Sequence, residues 1–414
     1  MKLLKIILIL IIITPVSFAQ SSSTYSRFGI GDIDYTYSAR SLGLGKTGVA
    51  SLSRDFVELL NPASWSQLEL TRIELSLALN GVQISDKDQS VFYTDADFKG
   101  FTFAFPISTK YGIGFASGLI PYSRISYDVV QNNTGVTGPG GDHTVTYKGE
   151  GGLSMIFIGT SYRTPVDWVL GISIEYYFGK QTYSSNIDFV DPAFNSAEYE
   201  TDYRSTGFGT TLGLISQDFS KLLNSKAITN LRAGISANLI SKLDTDTSLT
   251  INPKTVADTI LSGNTDLTMP ARVTGGITLQ LENEYNFNLE YIFQPWTDYK
   301  LADAKSAFLK DVHKINFGFE YVPQWEIGNS MWEQMMWRAG LSYESTQYKI
   351  NGNDINQYSV FAGFSLPFSF GNTLDVGLEY SLRGTKDFNL LKENFFTINI
   401  GFSFGDLWFQ RARQ

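Results

Sequence analysis

Thr373-Leu374-Asp375-Val376-Gly377-Leu378-Glu379-Tyr380-Ser381-Leu382 carries an apolar residue at every even position and a polar or small one at every odd position. A β-strand turns successive side chains to opposite faces, so this stretch has one apolar face and one polar face. The next one, Phe396, Ile398, Ile400, Phe402 and Phe404, alternates with Thr397, Asn399, Gly401 and Ser403. Upstream the same period recurs at Tyr285–Phe293, Leu170–Phe178 and Ile73–Leu79. Fourteen strands are expected, near 71–81, 99–107, 111–120, 153–163, 168–180, 204–217, 228–241, 271–281, 284–294, 312–322, 335–346, 356–366, 372–382 and 394–404. Connections at 108–110, 164–167, 282–283 and 367–371 are short. Those at 82–98, 121–152, 181–203, 242–270, 295–311 and 383–393 are long. The segment 323–334 breaks this rhythm, since a short turn belongs there and it holds Pro323, Trp325 and Trp332.

A soluble sandwich also alternates, with its apolar face inward. Two features favour an outer-membrane barrel. The strands often reach ten residues, against a usual length of about five or six. Short and long connections also alternate, as periplasmic turns and outer loops do in a barrel of even strand number. Lipid offers no hydrogen bonds, so every strand edge must be paired, which closure achieves. Tyr111, Trp168, Trp296, Tyr299 and Trp337 lie near strand ends, where aromatic girdles meet the membrane interfaces. Ordinary core packing is the alternative for these five.

Charged residues make up 18% of the chain and aromatic ones 14%, a balance that suits strands rather than disorder. A net charge of −9 argues against nucleic acid as a partner, since a phosphate-binding face needs an excess of Lys and Arg. Cysteine is absent, so neither a disulfide nor a thiolate metal site is expected. Lys2, Lys5, the apolar run Ile6–Ile13, Pro15 and Ser17-Phe18-Ala19 read as a cleaved export signal over 1–19. The run is well short of the roughly 20 residues of a spanning helix.

Between signal and strands, Ala39-Arg40-Ser41-Leu42-Gly43-Leu44-Gly45-Lys46-Thr47-Gly48-Val49-Ala50 leads to Asn61-Pro62-Ala63-Ser64. Three glycines in six residues disfavour a helix or strand interior, and Pro62 biases Asn61 to an extended shape. Residues 20–68 are therefore read as a plug, 69–405 as the barrel, and 406–414 as a periplasmic tail.

The plug pattern resembles the FadL/TodX-type outer-membrane transporters of hydrophobic compounds. So does Met269-Pro270-Ala271-Arg272-Val273 with Gly275-Gly276, Tyr291 and Gln294-Pro295-Trp296-Thr297-Asp298-Tyr299. So does Trp337-Arg338-Ala339-Gly340-Leu341-Ser342-Tyr343-Glu344. The resemblance implies a fourteen-stranded barrel, an N-terminal hatch in the lumen, and hydrophobic ligands that leave sideways through a gap in the wall. Tyr25-Ser26-Arg27-Phe28-Gly29-Ile30-Gly31-Asp32 is similar to a branch in Bacteroidetes-like bacteria, where related barrels serve protein secretion. Lys46, Ser64 and the tail through Trp408 to Arg413 depart from the common pattern.

Other motifs have plainer explanations. Gly43-x-Gly45-x-x-Gly48 matches a dinucleotide fingerprint, but no hydrophobic strand precedes it. Gly45-Lys46-Thr47 lacks the first glycine of a phosphate loop, since position 40 is Arg40. Gly401-Phe402-Ser403-Phe404-Gly405 matches a nucleophile elbow, yet Ser403 sits in an alternating strand with no helix after it. His143 and His313 are far apart in sequence. The acidic residues of 187–203 and 244–258, Asp244 and Asp246 among them, lack the spacing of a calcium loop and read as solvated outer loops. Phe189, Phe194, Val256, Ile260 and Leu261 in those loops are either a landing site for an apolar ligand or packing at the barrel rim.

The expected function is passive passage of a hydrophobic small molecule, a long-chain fatty acid or aromatic hydrocarbon, through a plugged outer-membrane barrel. Gly43, Gly45 and Gly48 would give hinge freedom, and Asn61, Pro62 and Ala63 would gate. The alternative is an outer-membrane docking component of a protein secretion or assembly system. Expected partners are the ligand, membrane lipid, the barrel-assembly machinery during biogenesis and, in the alternative, a secretion-system protein. No enzyme, cofactor or metal is expected.

Overall fold

The computed structural model describes residues 23–138, 140–223, 225–253, 258–324 and 330–407. The export signal and the end of the tail lie outside them. One antiparallel sheet closes on itself as a fourteen-stranded barrel. Its strands are β1 (Thr71–Ser85), β2 (Ser90–Ser108), β3 (Ile113–Pro121, continued by Ser123–Asn133), β4 (His143–Arg163), β5 (Val169–Phe189), β6 (Ala197–Ile215), β7 (Ile228–Ile240, continued by Leu243–Pro253), β8 (Asp258–Thr268, continued by Arg272–Leu281), β9 (Tyr285–Gln294), β10 (Val312–Tyr321), β11 (Met336–Ile350), β12 (Asn353–Ser369), β13 (Asn372–Gly384) and β14 (Lys392–Asp406). Closure is the pairing of β14 with β1, from Thr71↔Asp406 to Ser85↔Lys392.

Exposure decides which face is which. Leu75, Leu77 and Leu79 are 36%, 42% and 51% exposed, while Glu74, Ser76 and Ala78 between them are at most 4% exposed. The apolar set points out and the polar set points in, the reverse of a soluble sandwich. Lipid is the solvent that suits such a surface.

All fourteen expected strands are present, but the sequence reading ended most of them early. β4 and β5 each run 21 residues, where about ten cross a bilayer. The surplus rises as paired hairpins from segments expected to be loops, including 82–98, 121–152 and 181–203. Outside the lipid belt the apolar alternation fades, yet the ladder continues, because backbone pairing needs no apolar face. Trp296 and Tyr299 also differ from expectation. They are 1% and 6% exposed, stacked on each other at 5.6 Å, and belong to the interior rather than to a girdle. Tyr111 and Trp337 are half exposed, as a girdle requires.

The wall splits between β2 and β3. β2 pairs with β1 from Arg72↔Ala104 to Ser85↔Ser90, but with β3 only from Phe101↔Leu119 to Ser108↔Ile113. Above that level β3 continues on β4 alone, after a break at Tyr122. Its other edge takes Asp32–Ile33 of the plug at Ser123–Arg124. Among the described residues no strand pairs with the β3-facing edge of Ser90–Gly100.

Candidate functional site

The lumen is filled by the N-terminal segment, Ser23 to Leu68. A five-residue helix, Ala39–Gly43, interrupts what was expected to be irregular chain. Ser38 caps it by accepting from the Ser41 N–H at 3.1 Å, and its residues are all buried. A 3₁₀ turn, Pro62–Gln67, follows Asn61, whose side-chain oxygen accepts from the Ala63 N–H at 3.0 Å. Pro62 at the first position supplies a fixed φ where no N–H is needed.

The wall meets this segment with glycine. A Cβ on Gly363 would lie 2.9 Å from the Gly43 Cα, and one on Gly340 2.5 Å from the Gly45 Cα. One on Gly234 would lie 2.3 Å from the Val49 carbonyl oxygen, and one on Gly171 2.1 Å from the Ala63 nitrogen. Those separations exclude a side chain at each position, so plug backbone rests directly on wall backbone. The plug glycines do the same work: Gly48 leaves space for the Glu58 carboxylate, and Gly45 adds a φ of +71°.

Polar side chains then pin the plug. Asn61, fully buried, donates Nδ2 to the carbonyls of Val49 (2.7 Å), Leu214 (3.3 Å) and Ile235 (3.4 Å), the last two on the wall. The Gly48 and Val49 N–H groups donate to Glu290 of β9. Arg40 pairs with Glu320 at 3.1 Å, and Arg338 holds the same carboxylate at 2.8 Å. Lys46, one of the departures from the family pattern, pairs with Glu379 at 2.9 Å. Arg383 pairs with Asp32 at 2.8 Å, and the Ser23 hydroxyl and Thr24 N–H both donate to Glu393 at 2.8 Å. Tyr37 donates to Glu74 at 2.5 Å. Burial pushes the Glu58 carboxyl above the usual carboxylate range, against the pull of Arg40 and the N–H groups of Leu60 and Leu59.

Two cavities lie against this segment among the described residues. One, of about 140 Å³, lies directly behind the split and is lined chiefly by charged and amide side chains, among them Asp34, Asp95, Asp97, Lys99 and Arg124. The other, of about 590 Å³, lies between plug residues Ser51–Phe56 and the wall near the short turns, beside Asn230, Asn283, Asn286 and Asn288.

The apolar loop candidates are only partly assembled. Phe189 and Phe194 pack as a tilted pair at 5.6 Å, with His143 tilted against Phe189 at 5.6 Å, a packed loop cluster. Leu261 is 61% exposed on the hairpin of β7 and β8, opposite Leu249. Val256 and the side chain of Ile260 lie outside the described residues. No catalytic set forms from the other candidates. Ser403 donates weakly to Glu74 at 3.4 Å, His143 contacts Asn133 and the Gly141 carbonyl, and His313 contacts Tyr291. Residues missed by sequence reasoning are the wall partners Glu290, Glu320 and Glu379. Their signal was visible: each is a carboxylate on the inward face of an alternating strand.

Solved structures share the fold at low identity. A CymD monoaromatic hydrocarbon channel is 16% identical, with 91% of this chain and 99% of that one covered and a TM-score of 0.58. The Pseudomonas putida toluene transporter TodX is 15% identical, covering 92% and 100%, at 0.59. A Pseudomonas aeruginosa FadL homologue is 11% identical, covering 90% and 99%, at 0.59. No curated protein matches the chain. A protein-family model does, from end to end, and this outer-membrane barrel belongs to the BamG family, matched over residues 1–414.

Proposed function

We propose that this protein is a sealed outer-membrane platform, a docking component of a protein secretion or assembly system. The observation that carries the reading is the fit of plug to wall, backbone on glycine and carboxylate on cation, at Asp32, Arg40 and Gly43–Ala63. A hydrocarbon crossing this lumen would touch paired charges and amides. It would forfeit the roughly 0.8 kcal/mol per methylene that an apolar passage returns. The long outer hairpins and the amide-rich chamber at the other end present polar surface on both sides of the membrane.

A second reading has its own support. The split in the wall, and the likeness of fold to a monoaromatic hydrocarbon channel, a toluene transporter and a FadL homologue, favour passage of a hydrophobic small molecule. One experiment separates the two. The protein is purified in polymer discs without detergent, and both its organic extract and its co-eluting proteins are identified by mass spectrometry. A stoichiometric protein partner with only bulk lipid is expected. A fatty acid or aromatic compound at one per chain, with no protein partner, overturns the docking reading.

A further inference from the structure

The split is a side entrance with different chemistry on its two faces. On the outside, Phe98 pairs across from Leu77 and Ala96 from Leu79, so its foot lies within the lipid belt. Phe92 and Phe98 are 59% and 40% exposed there. On the inside, Asp95 and Asp97 both receive Arg124, which reaches them from the other lip. Asn80 donates to Asp95 at 3.0 Å and to Asp97 at 2.7 Å. Lys99 lies 3.0 Å from Asp34 of the plug and 3.8 Å from Asp97. The lips are thus joined through side chains, and they part without breaking a backbone ladder.

From this geometry we infer that the chamber behind the split binds the head of a zwitterionic amphiphile whose tail stays outside against Phe92 and Phe98. Charge decides the head. Each cation and carboxylate on the two lips already has a partner, so a ligand of one sign leaves a buried group uncompensated. A zwitterion conserves the count, with its anionic part taking Arg124 and Lys99 while its ammonium takes Asp95 and Asp97. Size decides that only the head enters. The chamber of about 140 Å³ is the volume of roughly five waters at about 30 Å³ each, space for a small headgroup and not for acyl chains. The inference stands whether the barrel docks proteins or passes a ligand.

Native mass spectrometry of the full chain, stripped of lipid in detergent, tests it with three probes. These are dioleoylphosphatidylethanolamine, dioleoylphosphatidylglycerol and water-soluble glycerophosphoethanolamine. One phosphatidylethanolamine per chain is expected, with phosphatidylglycerol bound at least tenfold more weakly. If glycerophosphoethanolamine displaces the lipid, the head alone suffices and a free zwitterion is a source; if it does not, the source is the membrane. Asp95→Asn with Asp97→Asn, which keeps shape and removes charge, is expected to lower retention at least tenfold. Should that variant fail to fold, Phe92→Ser on the outer surface serves instead, weakening the lipid and leaving glycerophosphoethanolamine binding unchanged. Equal retention of the two lipids, wild-type retention by the double variant, or a peptide occupying the edge in place of lipid overturns the proposal.

Discussion

Asn61→Ala isolates the plug's hold on the wall. Its amide satisfies Val49, Leu214 and Ile235, and its oxygen caps the Pro62–Gln67 turn at Ala63. Loss of a cap costs about 0.5–2 kcal/mol, and a buried group left unsatisfied about 1–3 kcal/mol. Alanine cannot reach the wall, so the two add to about 1.5–5 kcal/mol against the docked plug. At 1.4 kcal/mol per factor of ten, the undocked plug becomes roughly 10- to 4,000-fold more populated. Hydrogen exchange reads this directly. Peptides holding Gly48–Ala50 and Pro62–Ser66 are expected to exchange faster by that factor, while the ladder of β12 to β14 keeps its protection. Two results refute the reasoning. Unchanged exchange in the plug means that Asn61 does not hold it. Equal acceleration of plug and barrel means that the plug is not a separable unit, and that the lumen opens only when the barrel does.

The other predictions follow from the same contacts. Gly340→Val places a side chain into the Gly45 backbone and should cost about 1–3 kcal/mol, lowering the temperature at which the folded band is lost in a gel-shift assay. Gly275→Val, where a Cβ meets nothing within 4 Å, is the control and should leave that temperature nearly unchanged. Glu320→Gln removes the carboxylate shared by Arg40 and Arg338, taking the ion pair from Arg40 and leaving Arg338 to Ser365 and Asp375, an expected loss of about 3–5 kcal/mol, visible as a lowered midpoint in denaturant. Burial raises the Glu58 carboxyl in the folded state, so the docked plug binds this proton more tightly than the undocked one. That contribution is complete below about pH 4.3 and is lost as pH rises through the folded value. Glu58→Gln should therefore flatten the decline in plug protection between pH 4 and pH 8, measured by hydrogen exchange corrected for intrinsic rates.

Strand number and orientation were legible because lipid and lumen write opposite residues on alternate positions. Leu374 to Leu382 needed no neighbour to be read. The plug was legible as a region for a negative reason: Gly43, Gly45, Gly48 and Pro62 deny it a long helix or strand. What those glycines do was hidden, because a reading of one segment does not contain the wall. Gly340 and Gly363 look like ordinary small residues in strands until Gly45 and Gly43 arrive against them. The carboxylates that pin the plug were read as polar faces, and only closure of the barrel brings Glu320 to Arg40, 280 residues away. The upper strands were missed for a different cause. Above the lipid belt the outward face is no longer required to be apolar, so Ser184–Phe189 and Ala197–Tyr203 lose the period although they stay paired.

The split was the least legible feature, and the reason is physical. Alternation reports which face a side chain takes, and it is blind to whether the edge beside it is paired. Ser90–Lys99 alternates regardless: Asp95, Asp97 and Lys99 turn in, and Phe92, Ala96 and Phe98 turn out. Asp95 and Asp97 sit on neighbouring inward positions with Lys99 next in line, and the sequence reading places the two carboxylates in the long connection 82–98 and Lys99 at the start of a strand. Arg124 gives them another meaning. It lies just past the break at Tyr122, where β3 leaves β2, and it supplies through its side chain the cohesion that the missing backbone bonds would have given. A wall segment held by an ion pair instead of a ladder can open at the cost of exchanging those charges, and charge exchange is what a zwitterionic head offers.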